Sequence, residues 1–193
     1  ITDLFYLWKP VFPYLALHVI DSVTETGGHV VEAGPFCGMT PSLQAQGIGR
    51  SYSIAPFPAS LSGLYENDAA KEGVTATIIP LSDGTLNSLP TNYADLLIVR
   101  GAFFFPSFFD VDPAVIFRIL KPRGVAFAGG GFGKYTPDNM IETIRERSKT
   151  LNDMVGKVSI EPAELVERCA RASLTEMYEV SREGGLWVII RKE

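Results

Sequence analysis

The chain has 193 residues, of which 46% are hydrophobic and 20% charged, and its formal net charge at pH 7 is −5. These values are typical of a globular domain and argue against disorder, while an acidic chain without a basic run is a poor binder of nucleic acid or anionic membrane. No apolar run approaches the roughly 18 residues that a membrane-spanning helix needs.

The predicted elements begin with a helical cap. Residues 1–26 are rich in aromatic side chains and predict one or two short helices, interrupted at Pro10 and Pro13. After the cap, apolar runs alternate with helix-length polar stretches, which is the pattern of βαβ units over a mostly parallel sheet. Five strands are predicted at His29–Gly34, 51–55, 75–80, Ala94–Arg100 and 125–128. Five helices are predicted at about 40–46, 59–71, 113–120, 137–155 and 162–172.

The end of the chain predicts an antiparallel hairpin. Segments 175–180 and 186–191 are joined at Glu183-Gly184-Gly185, a turn sequence. No internal repeat or linker divides the chain, so we expect one domain over residues 1–193. The two cysteines, Cys37 and Cys169, have no metal-ligand spacing, and we expect reduced thiols, no metal site and a cytoplasmic protein.

A glycine-rich segment, Glu32-Ala33-Gly34-Pro35-Phe36-Cys37-Gly38, lies between the first strand and the following helix. This is the position of a nucleotide-binding loop in α/β sheets. Glycines there allow a tight turn and let a ligand approach bare backbone. The alternative is a strand-to-helix turn that needs glycine for its geometry only.

Four strings, in the order in which they occur, extend the pattern: Arg100-Gly101-Ala102 before an aromatic run, Lys121-Pro122-Arg123-Gly124, Gly129-Gly130-Gly131-Phe132-Gly133, and GLWVIIRK at 185–192. Together with the order of elements they resemble the class I S-adenosylmethionine-dependent methyltransferases, and among them a small prokaryotic subgroup of unknown substrate. The resemblance covers about residues 27–192. It implies a three-layer, Rossmann-like α/β sandwich whose seven-stranded, mostly parallel sheet ends in an antiparallel hairpin.

The resemblance also implies S-adenosylmethionine as cofactor and a set of residues around it. Phe36 stands where the family's glycine loop has its middle glycine, and Ser53 where an acid usually accepts from the ribose hydroxyls. Asp83 stands where an acid accepts from the adenine amino group, although a solvated Asp-Gly turn is the alternative. The residues assigned to the cofactor are Glu32, Gly34, Phe36, Gly38, Ser53, Ile54, Ser82, Asp83, Arg100 and Gly101.

The function implied is methyl transfer to a small apolar or aromatic molecule. Aromatic residues at 5–14, at 103–109 and at Phe132 with Tyr135 would line the acceptor pocket, or else form a packed cap or the face of a homodimer. Methyl transfer needs no dedicated catalytic residue, and none is assigned. An acceptor hydroxyl or thiol would need a base, for which Tyr135 and Asp110 are candidates.

The alternative function is that of a degenerate methyltransferase fold, a non-catalytic ligand-binding or regulatory module. Phe36 and Ser53 are its basis, because a benzyl group in the loop could crowd the cofactor and a serine offers no charge-assisted pair to the ribose. For a functional cofactor loop we expect the Phe36 ring to turn away, under the following helix or onto the N-terminal aromatic rings.

Overall fold

The computed structural model describes residues 1–23 and 27–193 and places seven strands of this part of the chain in one sheet. The strands are β1 (His29–Gly34), β2 (Ser51–Pro56), β3 (Thr77–Ile78), β4 (Ala94–Arg100), β5 (Leu120–Gly131), β6 (Tyr178–Ser181) and β7 (Gly185–Arg191). Their order is β3-β2-β1-β4-β5-β7-β6, and β7 runs antiparallel to both β5 and β6. The predicted seven-stranded sheet and its terminal hairpin are confirmed.

The helices begin and end close to the predicted residues. They are α1 (Thr2–Trp8), α2 (Phe12–Ser22), α3 (Thr40–Ala45), α4 (Ser62–Lys71), α5 (Pro113–Ile119), α6 (Asp138–Val155) and α7 (Pro162–Arg171). Helices α5 and α7 have local side-chain caps. Asp112 caps α5 by accepting from the amide of Ala114 at 2.8 Å, and Glu161 forms a capping box with Glu164 at the start of α7. In the part of the chain that the structure describes, no helix is both long and apolar enough to cross a bilayer.

Three predicted strands differ from the structure. The first segment of the hairpin, predicted over 175–180, is the strand Tyr178–Ser181. The third strand, predicted over 75–80, is reduced to the two residues of β3, which pair with Ser53 and Ile54 at the edge of the sheet. The fifth begins earlier than predicted, because the Lys-Pro-Arg-Gly turn is an excursion within β5. The pairing of β4 with β5 passes from Ala94↔Leu120 directly to Leu96↔Val125.

The predicted helical cap consists of two helices. A 3-10 turn at Lys9–Val11 joins α1 to α2, with Pro10 in the turn and Pro13 in the first turn of α2, where a proline is tolerated. The end of this prediction, residues 24–26, lies outside the described residues. The cap is held by Trp8, whose ring stacks on Phe132 at 4.3 Å between centroids.

Apolar side chains cover both faces of the sheet. On one face the strands pack against α2, α3 and α4, and Leu15, Val19 and Leu43 are completely buried there. On the other face α5 and α7 supply Ile116 and Leu165, which are also completely buried. Burial of each such side chain contributes about 2 kcal/mol. Because both faces are closed, a ligand can reach the sheet only at an edge or at the ends of its strands.

Candidate functional site

Glu32 lies at the end of β1 and organises the loop that follows. Its carboxylate is buried and accepts from the amides of Gly38 at 3.2 Å, Met39 at 2.9 Å and Thr40 at 2.7 Å, and from the Thr40 hydroxyl at 2.5 Å. These amides precede or begin α3, where a helix has no partners of its own for its first N–H groups. A carboxylate gives them charge-assisted hydrogen bonds. Glu32 therefore shapes the predicted cofactor loop, and its oxygens are occupied by the protein.

Arg100, the last residue of β4, is a buried cation beside this loop. Its Nη1 donates to the carbonyl oxygen of Phe36 at 3.2 Å, and its guanidinium carbon lies 4.6 Å from the ring centroid of Phe12 and 5.4 Å from that of Trp8. Burial lowers its pKa to about 10, and the nearby Glu32 charge opposes the shift. Arg100 is consequently still a cation at neutral pH.

A cavity of about 460 Å³ opens at the carboxyl ends of β1, β4 and β5, between α1 and α6. Its size is within the range of small-molecule and cofactor sites. The backbone of Gly101, Gly130 and Gly131 borders it, together with the buried Arg100. Its aromatic wall consists of Phe5, Trp8, Phe36, Tyr65, Phe104, Phe105 and Phe132. Each of the three aromatic clusters therefore contributes residues to the wall of a pocket, which is the first of the interpretations given for them.

Helix α6 supplies a polar wall that the sequence did not reveal. Arg145, Lys149 and Asp153 line the cavity at intervals of four residues, which places them on one face of the helix. Lys157, just beyond the helix, lines it too, with its ammonium 5.5 Å from the ring centroid of Phe104. The sequence predicted an amphipathic helix here. The spacing of four residues between Arg145, Lys149 and Asp153 was the signal that could have revealed this polar wall.

Among the predicted cofactor residues, Phe36, Arg100 and Gly101 line the cavity. Cys37 lines it as well, although the sequence assigned it no role. Burial raises the pKa of the Cys37 thiol well above its ordinary value, so at neutral pH it is a protonated, unreactive group. In the described residues, no three His, Cys, Asp or Glu side chains are grouped as metal ligands.

The Phe36 ring takes a different position from the expected one. It lies over the bare face of Gly101, in the space that a side chain at that position would occupy, and 4.8 Å from the ring centroid of Phe105. The ring is thus turned toward the loop after β4. It is only half-buried and faces the cavity.

Other glycines of the predicted loop are covered in the same way. Gly34 has a left-handed backbone with φ of 102°, and the ring of the buried Phe109 lies against it. Gly38, with φ of 121°, is covered by the ring of Phe5 from α1. The resemblance assigned both glycines to the cofactor together with Arg100, but their bare faces meet aromatic rings.

The structure does not bring Ser53 and Ile54 to the cavity. Ser53 pairs with Val31 inside the sheet, three residues before Gly34↔Pro56, which is the last pair of β1 and β2. Its hydroxyl is bonded to Nε2 of His29 at 3.0 Å and to the Tyr93 hydroxyl at 2.9 Å. Ile54 belongs to the hydrophobic core. The resemblance assigned both residues to the cofactor, whereas they lie within β2, which continues to Pro56.

Ser82 and Asp83 form an exposed turn, which is the alternative interpretation of this segment. An oxygen of the Asp83 carboxylate accepts from the amide of Thr85 at 2.9 Å and from the Thr85 hydroxyl. These bonds hold the pKa of Asp83 below its usual value. The carbonyl oxygen of the adjacent Gly84 accepts from the amide of Asp110 at 3.1 Å. Phe109, the residue before Asp110, places its ring against Gly34, so this segment connects the turn to the loop after β1.

The two candidate bases do not line the cavity. Tyr135 is exposed and donates its hydroxyl to Asp21 at 2.6 Å, and Asp110 pairs with Arg168 at 2.8 Å. Both side chains are thus engaged in surface contacts. We assign neither of them a catalytic role.

Comparison with known proteins gives structural likenesses. No protein-family model matches the chain, and no curated protein matches it. The chain is similar to a candidate S-adenosyl-L-methionine-dependent methyltransferase of Methanococcus maripaludis, with 25% identity, a TM-score of 0.72, and coverage of 96% of this chain and 87% of that one. It is also similar to a SAM-dependent methyltransferase from Aquifex aeolicus (14% identity, TM-score 0.58, 94% and 90% covered). A third likeness is to PigF with SAH (14% identity, TM-score 0.62). It covers 100% of this chain and 58% of that one.

Proposed function

We propose that this chain, which has the Rossmann-like fold of the class I S-adenosylmethionine-dependent methyltransferases, transfers a methyl group from S-adenosylmethionine to a small aromatic or apolar molecule. The observation that carries the proposal is the cavity at the carboxyl ends of β1, β4 and β5. Open α/β sheets bind their ligands at this place. The likeness to the Methanococcus maripaludis protein along nearly the whole chain supports it.

The walls of the cavity fit the reactive end of such a cofactor. A sulfonium is a cation, and aromatic faces such as those of Phe105 and Phe132 attract cations. The loop after β1 and the backbone of Gly101 would hold the cofactor. The rings of Phe36 and Phe109, which cover Gly101 and Gly34, would have to turn aside for close backbone contact. Phe36 has room to do so because it faces the cavity.

When bound, S-adenosylmethionine supplies an electrophilic methyl group that is transferred by in-line displacement. The chain's own residues then have two tasks. Glu32 and Arg100 fix the loop after β1, which sets the position of the cofactor. The aromatic wall excludes water and aligns the acceptor with the methyl group. Such alignment accounts for a large part of the rate enhancement of a reaction between two bound molecules.

Thermal unfolding in the presence of S-adenosylhomocysteine, the demethylated product, tests the proposal. A ligand at 100 times its dissociation constant adds about 2.7 kcal/mol to the free energy of unfolding, so the midpoint should rise with concentration. NAD⁺, the ligand of other Rossmann-like sheets, is the control and should leave the midpoint unchanged. Stabilisation by NAD⁺ in place of S-adenosylhomocysteine would contradict the proposal.

A further inference from the structure

The wall of the cavity carries charge of the opposite sign to the protein as a whole. The chain has 17 Lys and Arg against 22 Asp and Glu. The cavity is lined by one carboxylate, that of Asp153, and by four cations, which are Arg100, Arg145, Lys149 and Lys157. A concentration of one charge sign in a cleft with apolar walls raises the local concentration of ligands of the other sign.

Arg100 is the centre of this charge because it is nine-tenths buried. A guanidinium has five N–H donors, and Arg100 makes one hydrogen bond to the described part of the chain, to the carbonyl of Phe36. Within that same part, no carboxylate pairs with it. The Glu32 carboxylate is a nearby negative charge but forms no ion pair with the guanidinium, and a buried cation without a directly paired counter-charge is costly. Arg100 lines the cavity, where a bound anion would accept hydrogen bonds from its remaining donors.

The basic residues of α6 extend the charge from Arg100 to the solvent. Arg145 and Lys149 are exposed, lie one turn apart, and have no ion-pair partner within residues 1–23 and 27–193. The helix also contains Glu142 and Glu146, but neither of them lines the cavity. The helix therefore turns a basic face toward the cavity.

We propose that the methyl acceptor is an aromatic anion, a small planar ring system that carries a carboxylate or an equivalent acidic group. Its ring would pack against the aromatic wall, and its anionic group would pair with Arg100 and the basic face of α6. This inference rests on the proposed function and narrows it, because it excludes neutral apolar acceptors as the preferred class.

The amino-acid end of S-adenosylmethionine also carries a carboxylate, so a second source of the anion must be distinguished. That carboxylate is accompanied by an ammonium group, and such a pair does not neutralise the excess of three positive charges that four cations leave over Asp153. The excess favours an anion on the acceptor. The two sources are separable by experiment. If the cations bind the cofactor's carboxylate, a cofactor fragment that lacks the amino-acid end does not compete for them, whereas the complete cofactor does.

Two fluorescent probes test the proposal directly. The anionic probe is 8-anilinonaphthalene-1-sulfonate, and N-phenyl-1-naphthylamine has the same rings without the sulfonate. We expect the anionic probe to bind at one site, about tenfold or more tighter than the neutral one, since charge-assisted contacts in an apolar site are strong. Equal or tighter binding of the neutral probe would overturn the proposal.

Substitution of exposed residues identifies the cations that bind the anionic group, without disturbing the hydrophobic core. The double variant Arg145→Gln/Lys149→Gln should weaken binding of the anionic probe about tenfold and leave binding of the neutral probe unchanged. The matched control is Arg147→Gln/Lys71→Gln, which removes the same charge from exposed residues that do not line the cavity. Equal losses in the two double variants would overturn the proposal, because they would indicate a nonspecific effect of net charge.

The cofactor's carboxylate is tested by competition. If the acceptor supplies the anion, the anionic probe still binds when S-adenosylhomocysteine is saturating, or is displaced equally by methylthioadenosine, which lacks the amino-acid end. Displacement by S-adenosylhomocysteine alone would assign the cations to the cofactor and overturn the inference. Thermal stabilisation by S-adenosylhomocysteine is measured independently, so the inference can fail while the proposed function stands.

Discussion

Replacing Glu32 by alanine should lower the free energy of unfolding by about 4 kcal/mol, because several buried amides lose their acceptor at once. Its carboxylate accepts from three consecutive amides, those of Gly38, Met39 and Thr40, and also from the Thr40 hydroxyl. Each unsatisfied buried donor costs roughly 1–3 kcal/mol. Urea unfolding measures the loss as a lower midpoint with an unchanged slope.

The control for this prediction is Glu66→Ala, which removes an exposed carboxylate from α4. It should change the free energy of unfolding by less than about 0.5 kcal/mol, as is usual for surface substitutions. The Glu32 variant should also lose affinity for S-adenosylhomocysteine, since the loop after β1 loses its anchor. A Glu32 variant as stable as the control would show that the loop does not depend on this carboxylate.

Replacing Phe36 by alanine should raise the affinity for S-adenosylhomocysteine about tenfold, which corresponds to about 1.4 kcal/mol for turning the ring aside. The ring lies over Gly101 and faces the cavity, so its removal uncovers backbone that a cofactor could approach. The same change removes the contact with Phe105. It should therefore cost about 2 kcal/mol of stability, since the ring is only half-buried. Calorimetric titration and urea unfolding measure the two effects separately.

Phe117→Ala is the matched control, because Phe117 is a half-buried ring on α5 that does not line the cavity. It should lower stability to a similar extent and leave the affinity for S-adenosylhomocysteine unchanged. A tenfold fall in affinity in the Phe36 variant would contradict the prediction. It would mean that the ring is a contact of the cofactor and not a cover over its site.

The fold was predictable where local signals and burial agree. Strands β1 and β4 have the predicted ends, because each is a buried apolar run. The terminal hairpin was predictable from its turn. Strand β3 was not, since an edge strand with a single neighbour extends only as far as that neighbour pairs with it.

The lining of the cavity was predictable at the ends of β1 and β4 and not elsewhere. Phe36, Arg100 and Gly101 follow or end buried strands, and parallel strands bring their ends together at one edge. Ser53 was misplaced because a motif alignment does not reveal where β2 ends. The wall from α6 depends on the packing of that helix against α1, which no local pattern specifies. The single domain over 1–193, the cytoplasmic location and the homodimer stay predictions.

A calorimetric titration of the wild-type chain with S-adenosylmethionine shows whether the carboxyl edge of this sheet binds that compound. We expect saturable binding at one site per chain, strengthened in the Phe36→Ala variant. A wild-type chain that binds none at millimolar concentration, together with a Phe36→Ala variant that binds, would contradict this expectation. That result would identify the fold as a closed, non-catalytic descendant in which the aromatic ring replaces the cofactor.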